Sequence, residues 1–225
     1  NGFAFDYGFD ASSMHFTRCA FNGNSQAGIV HTGLEAVSGV NVSLAQCELS
    51  ANVQKAIGLP EAFSGNLSLG DCAVTGNATG VDAAGGSLTI IASSLSQNTA
   101  DAIVLGGSTT RTITVNNSII SNNGNNTNGT PYGSGIVLQT PQTLTVQDCE
   151  ISDNMTYGIW RENYSPLFLD ATLLRSTLTG NGWGAVWAVA CPMQWNIEQC
   201  TFAAKDFYGV HLGASGDPLN LTMSR

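Results

Sequence analysis

Leu144-Thr145-Val146-Gln147-Asp148-Cys149-Glu150-Ile151-Ser152-Asp153-Asn154 carries the pattern that decides the fold. It reads apolar, any, apolar, any, any, Cys or Ser, any, apolar, any, any, Asn. The same template recurs along the chain with its Cys/Ser slot at Cys19, Cys47, Cys72, Ser93, Ser118, Cys149, Ser176 and Cys200. Five residues after each slot comes Asn24, Asn52, Asn77, Asn98, Asn123, Asn154, Asn181 and, breaking the run, Lys205. Three residues before each slot stands Phe16, Leu44, Leu69, Ile90, Val115, Val146, Leu173 or Ile197, and two after it Phe21, Leu49, Val74, Leu95, Ile120, Ile151, Leu178 or Phe202. A period of about 26 residues marks a solenoid built of like units.

Five residues past the Asn column lies an apolar residue, usually after Gly or Ala: Ile29, Ile57, Ile103, Ile159, Val186 and Val210, with Val81 one residue early and Ile136 eight late. Each unit therefore reads as three short strands, such as residues 144–148, 150–152 and 158–162. Period-two alternation runs through the first strand, as half-burial demands. No segment sustains a helical period. If equivalent strands pair in parallel from unit to unit, like residues stack over like, and the Asn side chains form a hydrogen-bonded ladder in the turns. The expected fold is all-β: about eight coils of a parallel β-helix, residues 1–225 forming one domain. Strand-like ends without the caps a solenoid needs read as a piece of a longer protein.

This pattern resembles the right-handed parallel β-helix superfamily, the pectate-lyase-like solenoids, over nearly the whole chain. That superfamily holds pectate lyases, polygalacturonases, alginate epimerases, phage tailspikes and bacterial surface adhesins, so the resemblance implies a fold and leaves the activity open. The polygalacturonase signatures Gly-His-Gly and Arg-Ile-Lys do not occur. Tyr7-Gly8-Phe9-Asp10 is similar to the start of the alginate epimerase motif that continues Pro-His-Glu, but here Ala11-Ser12-Ser13 follows. Only Asp10 carries over, with His15 and His31 near it in sequence.

The bulk composition narrows the partners. Charged residues are 10% of the chain, the net charge is −9, and only seven Lys and Arg are present. Nucleic acid binding needs clustered cations, so no nucleic-acid partner is expected. No apolar run is long enough to span a membrane as a helix. No cofactor motif is recognisable. Five of the six Cys share the one column, interchanging with Ser, which reads as buried free thiols packed as small groups; Cys191 has no place in the pattern. Nine Asn-X-Ser/Thr sequons occur, and Asn77 and Asn154 among them are ladder members, hence poor glycan acceptors.

In the superfamily the third strand's sheet usually carries the substrate groove. Its outward residues here are Val30, Gly58, Asp82, Val104, Val137, Trp160, Trp187 and His211. The first half is bland. The second half places two Trp and a His in register, with Glu162 alongside and Tyr157 and Tyr208 near. Exposed rings in a row suit the apolar faces of sugars, so Trp160, Trp187, His211, Glu162 and Tyr157 are the candidate carbohydrate-binding residues. The insertion at 122–134 is expected to overhang this groove. No catalytic set is recognisable. Asp82 and Glu162 stand three coils, about 14 Å, apart, too far for a glycosidase pair. Asp148, Glu150 and Asp153 cluster at turns and read as solvated, and Arg161 reads as ion-paired to Glu162. Three functions follow in order: a non-catalytic extracellular or cell-surface module contacting glycan, as in an adhesin; a polysaccharide lyase or C5-epimerase acting on a polyuronate; and a spacer without ligand.

Overall fold

The structure, a computed structural model of the 225-residue chain, describes residues 3–7, 13–31, 39–107, 111–125, 133–140, 142–161, 168–189, 191–213 and 218–225. Three parallel sheets run the length of the solenoid. The first has nine strands, among them Thr143–Gln147, Leu169–Leu174 and Met193–Glu198. The second has seven, including Glu150–Ser152 and Thr177–Asn181. The third has nine, including Tyr157–Arg161, Gly184–Val189 and Tyr208–Gly213. Each strand pairs with its equivalent one coil away. Leu144 registers with Ala171, Ile151 with Leu178 and Ile159 with Val186. The apolar columns predicted from the spacing are therefore straight lines in space, and they fill the interior as one cluster. Each such buried aliphatic side chain contributes about 1.5–3 kcal/mol. Size is complementary between coils: Ala171 registers with the fully buried Trp195.

The Asn ladder forms as expected and is fully bonded along its length. Asn52 Nδ2 donates to Asn77 Oδ1 at 2.8 Å, and the Asn52 backbone N–H donates to the same oxygen at 3.0 Å. The second Nδ2 hydrogen of each carboxamide turns to a carbonyl of the preceding coil, Phe21 O in the case of Asn52 at 2.9 Å. Such satisfaction lets polar side chains sit in the core without a desolvation penalty. Asn77 and Asn154 are buried, which closes both sequons to modification.

The ladder ends at Asn181 as the letters imply, but the position beyond it is not the one they suggest. In the last coil Ala204, not Lys205, registers with Asn181, because a register shift falls between Thr179 and Asn181. The cause is a missing corner. Every earlier coil has a residue at φ of 54–68° just before its ladder Asn: Gly23, Ala51, Gly76, Gln97, Asn122, Asp153 and Gly180. The residue before each Cys/Ser slot is likewise left-handed: Arg18, Gln46, Asp71, Ala92, Asn117, Asp148, Arg175 and Gln199. These two corners close each coil between its first and third sheets. In the last coil the strand Thr201–Ala204 runs on straight where the second corner should be, so the chain slips by one residue.

The Cys/Ser slot is a second ladder. The Cys72 backbone N–H donates to Ser93 Oγ at 3.0 Å, and Ser93 Oγ donates to the carbonyl of Ile91 at 2.8 Å. Cys149 N–H donates to Ser176 Oγ at 3.2 Å, while its own thiol donates to Gln147 O at 3.0 Å. The slot therefore wants one donor that also accepts, which is why Cys and Ser interchange there. All six thiols are free. Burial raises the pKa of Cys72, Cys149 and Cys200 above the usual thiol value, so these groups stay protonated. Cys191 is fully buried just ahead of the first-sheet strand Met193–Glu198.

Candidate functional site

The third sheet presents its outer face in the predicted order. Val137 registers with Trp160, Trp160 with Trp187, and Trp187 with His211. Gly or Ala recurs just before the inward Ile column because the next coil passes close: a Cβ on Gly158 would stand 2.6 Å from Ala185 O. Tyr157, one residue earlier, faces outward and is half-buried. Its registered neighbour is Gly184, where an added Cβ would lie 3.2 Å from the Tyr157 ring. The missing side chain lets the phenol lean over the next coil.

That lean assembles a seven-ring patch. Tyr157 meets Trp160 at 6.0 Å, Trp187 at 5.8 Å and Trp183 at 5.6 Å between ring centroids. Trp187 stacks on His211 at 4.1 Å with 14° between planes, and Tyr208 joins both at 5.7 and 5.1 Å. Phe207 extends the patch from Tyr208 at 6.3 Å. Burial, and then the neighbouring Tyr208, push the Tyr157 phenol above its ordinary pKa, so it remains a neutral hydroxyl.

Of the five candidate residues, Trp160, Trp187, His211 and Tyr157 converge on one surface, and Glu162 lies outside the described residues. The spacing missed Trp183 and Phe207. Both were reachable: each precedes a residue of the Tyr157 column, Gly184 and Tyr208, by one. The rings are also not a flat platform. Trp187 and His211 are displaced along the solenoid axis and nearly parallel, so each covers a face of the other and they offer edges outward. Trp183 stands at 81° to Tyr157, is 37% exposed, and keeps at least one indole face clear of every described ring.

The titratable groups do other work. Asp82 is ion-paired with Lys55 on the bland half of the same sheet, across Gly58. Asp148 is not simply solvated: Arg175 donates Nε and Nη2 to its two carboxylate oxygens at 2.7 Å each, which holds its pKa down at about 2. Glu150 accepts from Ser152 Oγ at 2.8 Å. Arg161 points inward, as its phase predicts, but is fully buried and donates Nη1 to Leu138 O at 2.8 Å; its Nε and Nη2 have no hydrogen-bond partner among the described residues. The expected partner Glu162, the motif residue Asp10 and positions 126–132 of the insertion lie outside the described residues. The insertion's described end is pinned, with Gly133 and Ser134 N–H groups donating to Asp101 Oδ1 at 2.9 and 2.7 Å. Among the described residues no group of three or more His, Cys, Asp and Glu side chains is placed to hold a metal ion, and no helix is long and apolar enough to cross a membrane.

The family profile described as right handed beta helix region matches residues 62–224. Among solved structures, a crystal structure of pectate lyase Pel9A is similar, with a TM-score of 0.60 at 13% sequence identity. The alignment covers 94% of this chain and 66% of that one, so this chain spans just under two thirds of the enzyme's length. At that identity the likeness speaks for the fold alone. No curated protein matches the sequence.

Proposed function

This chain belongs to the right-handed β-helix family, and from that premise we propose that it is an extracellular or cell-surface module that engages carbohydrate through the aromatic patch of its third sheet and does no chemistry on it. The observation that carries the reading is the patch itself. Seven rings from three successive coils meet at centroid distances of 4.1–6.3 Å, and Phe207 at its margin is 68% exposed. Apolar rings left facing water are unfavourable and mark a contact surface. Indole faces flanked by phenol, indole and imidazole hydrogen-bonding groups match the amphipathic surface of a sugar ring. The non-catalytic part rests on the acids. Asp82 and Asp148 are neutralised by Lys55 and Arg175, and no described carboxylate pair faces the rings across a scissile-bond distance.

A glycan array probed with wild type and with Trp183→Ala, read beside assays for new reducing ends and for unsaturated products, tests this. Binding that weakens in the variant without product formation supports the module. Product from any polyuronate overturns its non-catalytic part in favour of a lyase or epimerase. Silence in both leaves the spacer reading standing in its place.

A further inference from the structure

We infer that the glycan held by this patch is uncharged, a neutral hexose or pentose polymer, and not a polyuronate. The inference rests on the carbohydrate reading above and adds the ligand's charge to it. It follows from where the cations are, and all seven Lys and Arg residues lie among the described residues.

A polyuronate carries a carboxylate on every sugar. Its recognition calls for bidentate Arg, free Lys or a caged divalent cation beside the sugar-stacking rings. None of the seven cations is free on the aromatic face. Arg111 and Arg161 are buried in the interior, each spending Nη1 on a backbone carbonyl, Ala83 O at 3.0 Å and Leu138 O at 2.8 Å. Lys55 is ion-paired to Asp82 and registers with Thr79, within the bland half of the sheet. Arg175 is held on Asp148 at the corner between the first and second sheets, and Arg18 stands in that same corner column with Nε on Gln46 Oε1 at 3.0 Å. Arg225 follows the first-sheet strand Leu219–Ser224. Lys205 comes nearest in sequence, two residues before Phe207, but it lines a shallow hollow at the second-sheet corner together with Asp153 and Asp206, a hollow with two carboxylates to its one cation.

The polar atoms that do flank the rings are the hydroxyls of Tyr157 and Tyr208, the indole N–H groups and His211. These complement sugar hydroxyls. Meanwhile the chain as a whole carries −9, so a polyanion approaching the face meets net repulsion within the Debye length of about 8 Å.

Titration calorimetry at neutral pH separates the possibilities. Wild-type protein is titrated with cello-, xylo- and manno-hexaose and with hexagalacturonate and hexaguluronate. Low and high salt are compared, with EDTA and with calcium. The expected result is binding of a neutral hexasaccharide with little salt dependence, at least about tenfold tighter than either uronate, a difference of about 1.4 kcal/mol. Trp183→Ala, a substitution at the partly exposed rim of the patch and outside the solenoid core, keeps a cooperative melt and weakens that binding by about tenfold or more. A uronate that binds as tightly as the neutral sugars, with or without calcium, overturns the neutral-ligand inference and leaves the carbohydrate reading intact. Failure of every sugar, or neutral binding that survives Trp183→Ala and Trp187→Ala alike, overturns the patch reading and this inference together.

Discussion

Trp187 and His211 lie face to face, 4.1 Å between centroids and 14° between planes, on successive coils of the third sheet. The relationship is structural before it is functional: each ring shields a face of the other from water, worth about 0.5–1.5 kcal/mol beyond the area buried. It also removes those faces from any ligand. His211→Ala is therefore expected to lower the unfolding free energy by about that amount and to weaken glycan binding by less than about tenfold, because the lost imidazole hydrogen bond is offset by the indole face of Trp187 that it uncovers. Trp183→Ala, which loses its edge contact with Tyr157, is expected to cost at least as much stability but to lower affinity by about tenfold or more. Paired denaturant melts and calorimetric titrations of the two variants check this contrast in affinity, and a His211→Ala variant that binds more than about tenfold more weakly (about 1.4 kcal/mol) refutes the edge-on assignment.

The Asp148–Arg175 fork predicts an acid response. The folded-state pKa of Asp148 is about 2, lowered first by the Arg175 hydrogen bonds and then by Gln147. An unfolded Asp titrates near 3.9. Because the folded value is the lower one, the pair stabilises the fold above pH of about 4, and that contribution disappears as pH falls from there through about 2. Asp148→Asn should then melt slightly below wild type at neutral pH and level with it near pH 2. Both side chains are solvent-exposed, so the gap is small and shrinks with salt. A chemical-shift titration of the Asp148 carboxyl gives the same answer directly, and a midpoint near 4 would contradict it.

The columns were legible in the sequence because each is fixed by side-chain chemistry: Ile159 and Val186 must be apolar, Asn154 and Asn181 must both donate and accept. The corners were not legible, because the coil's closure imposes their left-handed backbone on whatever residue falls there. Arg18, Gln46, Ala92 and Asp148 share no property that would announce it. The ring patch was half legible. Register placed Trp160, Trp187 and His211, but the recruitment of Trp183 depends on Tyr157 leaning over Gly184, a consequence of an absent side chain in the neighbouring coil. The place of Lys205 was misread for the same reason as the corners: counting letters assumes a left-handed residue before it, and the last coil has none.

Those corners carry a cost that can be removed. Ala92 sits at φ 50° in an exposed position, where its Cβ crowds the backbone. Left-handed geometry costs a non-glycine residue about 1–2 kcal/mol. Glycine there relieves it but loses about 0.5–1 kcal/mol of chain entropy on folding. Ala92→Gly is accordingly expected to stabilise the protein by about 0.5–1 kcal/mol, against the usual direction for glycine in a β-rich chain. The opposite change at the sister corner, Gly180→Ala, meets φ 67° and an Asp153 oxygen 2.3 Å from the new Cβ, and should destabilise by about 1 kcal/mol or more. Equilibrium urea denaturation of both decides it; a destabilised Ala92→Gly would mean that the corner is not strained.

The end of the Asn ladder gives a test of register itself. Asn181 is fully buried and donates Nδ2 to Ile151 O at 2.9 Å, but unlike its predecessors it has no carboxamide ahead of it. The structure puts Ala204 opposite Asn181 and moves Lys205 one place on, its backbone N–H bonding Asn181 O at 3.1 Å. A carboxamide at 204 would therefore bring an acceptor to the second Nδ2 hydrogen, a net gain of about 0.5–1.5 kcal/mol for one added bond. Lys205→Asn places the same group one residue past the line, where it gains nothing. If letter-counting were right and the coil held its corner, the two results would exchange, with Lys205→Asn stabilising and Ala204→Asn inert. Interior truncation calibrates the scale. Asn123→Ala removes the acceptor for both the Asn98 backbone N–H and its Nδ2, at 3.2 and 2.9 Å, and strands Asn154 Oδ1 of two donors' company by one. With each stranded buried group costing about 1–3 kcal/mol, a loss of about 3 kcal/mol or more is expected there in the same urea series.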